Sequence, residues 1–191
     1  AHDSVVSVTP TVDSCAVRTR SGSTYSARRV VIAAGAWAGQ IDGAPFARVV
    51  APSRGQLVSY PGTPLRHVAY GPSGYVVPRG DATIGGSTME NAGFDASTTE
   101  AGVAKVRAAA EEICPALAGS IGTTSWAGLR PVTPDLLPII GPDPSHESLL
   151  YACGHSRNGV LMAPLTGDII ADLVTATPLS YELKQFRPDR F

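Results

Sequence analysis

The sequence predicts an α+β fold, in which an antiparallel-sheet domain is joined to part of a second domain with a parallel-type strand. Short β-patterned runs separated by prolines fill the middle of the chain, which is typical of an antiparallel sheet. A continuous apolar run at residues 30–34 indicates a strand buried on both faces, as in a parallel sheet. We therefore assign residues 1–40 and 146–191 to one domain and residues 41–145 to the antiparallel domain.

The composition limits the classes of partner. The chain has 191 residues, of which 43% are hydrophobic and 16% charged, and its formal net charge is −1. This balance argues against binding of nucleic acid or of an anionic membrane. The chain also contains no run of 18 apolar residues, which is the length needed to span a bilayer. The three separated cysteines, Cys15, Cys114 and Cys153, form no C-x-x-C pair, which is typical of a reduced, cytoplasmic protein.

The first elements form a small antiparallel meander. Residues 5–8 and 15–19 have β patterns, and a Ser-Gly-Ser turn at residues 21–23 leads through a third strand to the apolar run. Gly35 ends that run, and a glycine there permits close approach of the backbone to a ligand.

The middle of the chain predicts the antiparallel sheet. Because side chains alternate along a strand, Tyr75, Val77 and Arg79 share one face. The helix that follows is expected to start at a capping box, Ser97 to Glu100, to stop at Pro115 and to serve packing rather than chemistry. The strands are predicted at residues 48–50, 56–59, 67–70, 75–78 and 82–85.

The C-terminal part places two arginines at the ends of strand patterns. A strand at residues 125–130 ends at Arg130, and a buried strand at 149–153 leads to a loop with Arg157. A short strand at residues 137–140 separates them. A guanidinium forks onto a carboxylate through two hydrogen bonds, so two converging forks would clamp a small acid. The alternative is that both are surface arginines in turns.

A helix is predicted after this loop. It runs to about residue 174, and Pro164 is expected in its first turn, where a missing N–H costs nothing.

Four blocks of sequence carry a resemblance. Residues 128–141 read Gly-Leu-Arg-Pro-x-Thr-Pro-Asp-x-x-Pro-x-Ile-Gly, and residues 154–164 read Gly-His-x-Arg-Asn-Gly-x-Leu-x-Ala-Pro. They resemble the C-terminal signature of the D-amino-acid oxidase superfamily, and within it the glycine oxidases of thiamine biosynthesis. Residues 29–37 resemble the strand and turn that close the family's flavin domain, and residues 74–79 the strand with its active-site tyrosine.

The resemblance implies that residues 1–40 and 146–191 are the remnant of an FAD-binding domain, and that residues 41–145 are the domain that binds an amino acid with a free carboxylate. Tyr75, Arg130 and Arg157 would bind the carboxylate. The FAD would be noncovalent, because residues 126–138 contain no cysteine, and the start of the last helix would face the flavin. For Val5 and Trp37, core packing is an equal alternative. The expected FAD contacts are Val5, Ala34, Gly35, Trp37, His155, Ser156, Arg157, Asn158, Gly159, Val160 and Leu161.

The implied reaction is FAD-dependent oxidation of glycine, sarcosine or a small D-amino acid. Hydride passes to the flavin, the imine hydrolyses and oxygen reoxidises the flavin to give peroxide. The histidines lack partners at metal-ligand spacing, so no metal is expected, and His155 is interpreted as a flavin-side contact rather than a base. Two alternatives remain: an inactive fragment or subunit that needs a separate nucleotide-binding chain, and a flavin dehydrogenase that does not use oxygen.

The sequence lacks the G-x-G-x-x-G turn that cradles the pyrophosphate in such enzymes. It also opens with Ala1 rather than Met. We therefore expect the C-terminal part of a longer flavoenzyme that does not hold FAD alone. An apolar strand without its parallel neighbours invites association, so we expect a homo-oligomer or an N-terminal flavin-binding chain as partner.

Overall fold

The computed structural model describes residues 3–191, which form two compact units. The first consists of Ala1–Pro52 and Arg130–Phe191, and the second of Ser53–Leu129. Residues 1 and 2 of the predicted first domain lie outside the described residues. The strands and α-helices, in chain order, are β1 Val5–Pro10, β2 Cys15–Thr19, β3 Thr24–Ala27, β4 Val30–Ile32, β5 Ala51–Pro61, β6 Ala69–Gly71, β7 Gly74–Arg79, β8 Ala82–Gly86, α1 Glu100–Ile113, β9 Thr124–Val132, β10 Ile139–Pro142, β11 Leu149–Cys153 and α2 Gly159–Thr175.

The boundaries of the units differ from those of the predicted domains. Residues 41–52 and 130–145, which the sequence assigned to the antiparallel domain, lie in the first unit. The boundaries fall inside strands, because residues 51–52 begin β5 and residues 130–132 end β9. The predicted roles of the two domains, binding of FAD by one and of the amino-acid substrate by the other, stay predictions.

The first unit contains two small sheets. The predicted meander is present, with antiparallel strands in the order β1-β2-β3. In the second sheet β11 is central: it pairs antiparallel with β10 and parallel with β4. The apolar run at residues 30–34 therefore does supply a parallel strand, although β4 ends at Ile32.

β11 is the most deeply buried strand of the first unit. Leu149 and Tyr151 are fully buried, and the Tyr151 ring meets the Phe46 ring edge-on with centroids 6.0 Å apart. The Tyr151 hydroxyl donates a 3.0 Å hydrogen bond to Oδ2 of Asp143, which is itself buried. Burial and the neighbouring Asp143 carboxyl raise the pKa of Tyr151 far above its usual range, so the hydroxyl stays a donor.

The second unit packs one helix on an antiparallel sheet. The strand order is β6-β7-β8-β5-β9, and α1 lies against this sheet. Apolar positions three and four apart on α1 face the strands. The buried cluster consists of Val58, Tyr60, Val76, Val106, Ala110, Cys114 and Leu117.

The predicted capping box of α1 is wrong. Helix α1 begins at Glu100 with Thr99 as its N-cap, and the Thr99 hydroxyl accepts the N–H of Gly102. Ser97 lies outside the helix because its carbonyl accepts a hydrogen bond from Arg54 and its N–H bonds Asp95.

Two further local predictions fail. Residues 48–50 were predicted as a strand, but Pro45–Val49 is a 3-10 helix, since Pro45 occupies its first position. Pro164 was predicted in the first turn of the last helix. Because α2 begins at Gly159, Pro164 lies inside the helix, and its missing N–H removes the bond to the carbonyl four residues earlier.

We predict that Tyr151→Phe lowers the free energy of unfolding by about 1–3 kcal/mol, because the buried Asp143 carboxyl loses a donor while the packing on Phe46 is retained. Urea denaturation of the chain measures the loss. Tyr181→Phe, at a side chain that is 55% exposed, is the matched control and should change stability by less than about 0.5 kcal/mol. Equal losses in the two variants would contradict the role of the bond.

Candidate functional site

Arg130 lies near the end of β9 and is half-buried. The strand is therefore longer than predicted at both ends, and Arg130 is followed by two further strand residues. The chain then enters a loop, residues 133–138, which leads to β10.

Arg157 lies in a 3-10 turn, Ser156–Asn158, between β11 and α2, and its side chain is exposed. Two positive φ angles bend the chain before it, +77° at Gly154 and +51° at Ser156. Glycine adopts such a conformation readily, whereas a serine there is strained. The turn therefore has a defined shape directly after the buried strand.

The two arginine-bearing segments touch each other within the first unit. A Cβ added at Gly154 would lie 2.7 Å from Cγ2 of Thr133, so the Gly154 backbone packs directly on that side chain. Thr133 follows Arg130 by three residues, and Gly154 precedes Arg157 by three residues. The Cα atom of each arginine therefore lies within about 11 Å of the Cα atom of Thr133 or Gly154, the two residues in contact.

His155 fastens the Arg157 turn to α2. Its Nε2 lies 3.0 Å from the hydroxyl of Thr166, which is buried on the helix. Burial lowers the pKa of His155, so the ring is neutral at pH 7. The position of His155 suits a structural link, and its predicted contact with a flavin stays a prediction.

The start of α2 has exposed apolar side chains and no side-chain cap. Asn158, the residue before the helix, makes no side-chain capping hydrogen bond. Val160 and Leu161 in the first turn are 94% and 82% exposed. A helix start carries partial positive charge on its N–H groups, and here large apolar side chains adjoin it. These residues fit a flat apolar ring with an anionic edge.

The other predicted cofactor residues are also in the first unit. Val5 is 40% exposed at the start of β1, and Trp37 is 53% exposed in the 3-10 helix Gly35–Gln40. Ala34 and Gly35 are half-buried, and Gly35 has a φ of +55°. Val5 and Trp37 are therefore not core residues of the unit.

Tyr75 belongs to the second unit. It is half-buried on β7 and lies opposite Gly86 of β8, where an added Cβ would come within 2.6 Å of the Tyr75 hydroxyl. On its other side the Tyr70 ring lies 5.7 Å away between centroids. The phenol is thus laid across the sheet over a glycine, as in other aromatic–glycine strand pairs.

Within residues 3–191, no three His, Cys, Asp or Glu side chains come close enough together to hold a metal ion. In the same part of the chain, no helix is both long and apolar enough to cross a membrane.

Comparison with known proteins identifies the family. Residues 2–173 match the family described as FAD dependent oxidoreductase, DAO. The chain belongs to this DAO family. The resemblance that the four sequence blocks indicated is thereby confirmed.

Individual relatives of this DAO chain are similar along most of it. A glycine oxidase of Pseudomonas putida is 35% identical over 91% of the chain, and the bifunctional protein ThiO/ThiG of Trichormus variabilis is 38% identical over 92%. The crystal structure of glycine oxidase from Geobacillus kaustophilus superposes with a TM-score of 0.87 at 32% identity over 99% of the chain. The chain spans 48%, 27% and 52% of these three proteins, about half of the two glycine oxidases.

Sequence reasoning missed the residues that hold the arginine segments. Thr133 and Asp135 belong to the motif at residues 128–141 but have no predicted role, and Thr166 lies outside all four blocks. A threonine or aspartate inside a Pro-rich loop is a signal for a local hydrogen bond. The partner of such a residue in a distant segment leaves no local pattern.

We predict that the chain loses stability as the pH is lowered, because His155 is buried in its neutral form. Burial lowers the pKa of His155 in the folded state, so the unfolded chain takes up the proton first as the pH falls. The free energy of unfolding is therefore highest above about pH 6.5, and it declines as the pH falls through the folded-state pKa. His155→Gln should therefore show a shallower loss of unfolding free energy between about pH 7 and 5. Above pH 7.5 the two slopes should agree, which is the internal control. Parallel slopes at all pH values would contradict this role.

Proposed function

We propose that this chain forms the carboxylate-binding part of an FAD-dependent amino-acid oxidase acting on glycine, sarcosine or a small D-amino acid. The observation that carries the proposal is the contact between Gly154 and Thr133, because it joins the two segments that bear Arg157 and Arg130. Two of the relatives above carry the name glycine oxidase, which supports the substrate class. Since the chain spans about half of them, the activity is proposed for the complete protein.

Arg130 and Arg157 would bind the substrate carboxylate. A guanidinium presents two parallel N–H donors that match a carboxylate, and each charge-assisted hydrogen bond contributes about 1.5–3 kcal/mol. Two such groups also fix the orientation of a substrate with few atoms, which directs its Cα–H. Tyr75 belongs to the other unit, and its contact with the carboxylate stays a prediction of the resemblance.

The turn around His155 and the start of α2 would hold the flavin. When bound, FAD accepts a hydride from the substrate Cα and passes the electrons to oxygen. Val160 and Leu161 would cover part of the ring and exclude water, while the first N–H groups of α2 would stabilise negative charge beside it. His155, neutral and held by Thr166, would keep this turn in place without taking part in proton transfer.

We predict that Arg130→Ala, in a full-length flavoenzyme that contains this chain, lowers kcat/KM for glycine by about 10- to 100-fold, mainly through KM, because the carboxylate loses a charged donor. Glycine ethyl ester, which has no carboxylate, should be affected little. Arg130→Lys should also lose glycine activity, since an ammonium cannot fork. Steady-state kinetics with both substrates measures the effect.

Arg20→Ala is the matched control, because Arg20 is an exposed arginine of the same unit. It should leave both substrates unchanged. If Arg130→Ala reduces glycine and ester turnover equally, Arg130 is structural and the proposed carboxylate site is wrong.

A further inference from the structure

The loop at residues 133–138, between β9 and β10, holds an unfavourable conformation. Leu136 has a φ of +62°, in the left-handed region that a leucine rarely adopts. Three local hydrogen bonds hold it: the Thr133 hydroxyl donates to the Leu137 carbonyl at 2.7 Å, the Leu136 N–H to the Thr133 carbonyl at 3.1 Å, and the Leu137 N–H to Oδ1 of Asp135 at 3.1 Å. Such a conformation persists where the surroundings impose it.

The C-terminal tail supplies that constraint through Arg190. Its Nε donates to Asp135 Oδ2 at 2.8 Å and its Nη2 to Asp135 Oδ1 at 3.2 Å, while Nη2 also donates to the Leu137 carbonyl at 2.8 Å. The Arg190 side chain is 13% exposed and the Asp135 side chain 35% exposed, so the two-pronged pair is shielded from solvent on the arginine side. These hydrogen bonds hold the pKa of Asp135 at about 2, so the carboxylate is charged throughout the physiological range.

The tail is anchored independently of Arg190. Pro188 is buried and its Cδ lies against Gly141 of β10. Residues 174–191 lie beyond the part of the chain that matches the DAO family.

The loop is connected to both arginine-bearing segments, to one through the chain and to the other through a packing contact. Thr133 begins the loop three residues after Arg130, and its Cγ2 is the atom on which Gly154 packs, three residues before Arg157. The Leu137 carbonyl accepts hydrogen bonds from both the Thr133 hydroxyl and Arg190 Nη2. A displacement of the loop would therefore move both arginine segments.

We propose that Arg190 is a positioning residue for Arg130 and Arg157: by holding Asp135 and the Leu137 carbonyl, it sets the loop that fixes the spacing of the two carboxylate-binding segments. This inference rests on the function proposed above. Arg190 itself touches neither substrate nor flavin in this scheme. Its effect should appear as a selective loss of carboxylate recognition.

The test uses the FAD-loaded full-length enzyme with Arg190→Ala and Arg190→Lys, and with Arg187→Ala as the control from the same tail. We expect both Arg190 variants to lower the ratio of kcat/KM for glycine to that for glycine ethyl ester by roughly 10-fold or more, as a misplacement of about 1 Å does. They should also weaken binding of acetate, measured through the flavin absorbance. Arg187→Ala should change neither. If either Arg190 variant is less stable but keeps the ratio and the acetate affinity, the inference is overturned.

A second measurement is independent of turnover. Hydrogen exchange at the Leu136 and Leu137 amides should become at least 10-fold faster in Arg190→Ala than in Arg187→Ala. If neither Arg190 variant folds, Asp135→Asn, which keeps the side-chain size and the bond to Leu137, carries the same expectations. If Arg130→Ala spares the glycine-to-ester ratio, the proposed function fails; if Arg130→Ala lowers it and Arg190 variants do not, this inference alone fails.

Discussion

The first unit depends on the burial of β11. A strand enclosed on both faces must satisfy every backbone polar group internally, so β11 needs β10 on one edge and β4 on the other. The same enclosure requires a partner for the Tyr151 hydroxyl, which Asp143 supplies. With its backbone and side chains so constrained, the end of the strand at Cys153 is a fixed point. The turn that carries Arg157 begins directly after Cys153, so the buried strand fixes where this turn lies.

Much of this arrangement follows from local sequence patterns. The apolar run of β11, the alternation of the meander and the sheet strands, and the glycine turns predicted most strands and both helices, and the four motif blocks predicted the family. Arg130 and Arg157 were found because each stands where a strand pattern ends. Their roles stay predictions, since no residue pattern measures a distance between two segments of chain.

The failure of the predicted helix cap has a different cause, which is competition from partners distant in sequence. Ser97 had a good capping pattern, but the buried guanidinium of Arg54 takes its carbonyl, and a charge so buried must be surrounded by acceptors. Glu90 and Asp95 complete that set, and the cap moves to Thr99. None of these pairings has a local signature, because each joins residues that a periodicity window does not span.

The division of the chain into a split unit and a continuous one has a consequence for the order of folding. Contacts within Ser53–Leu129 join residues comparatively close along the chain, whereas β4 must find β11 across the whole of that segment. Long-range pairing carries the larger loop-closure entropy and the slower rate. Because β5 and β9 are neighbours in their sheet, a folded Ser53–Leu129 returns the chain beside its point of entry and so shortens the loop that the parallel pair must close. We expect the inserted segment to nucleate, and the parallel pair to be the late kinetic event.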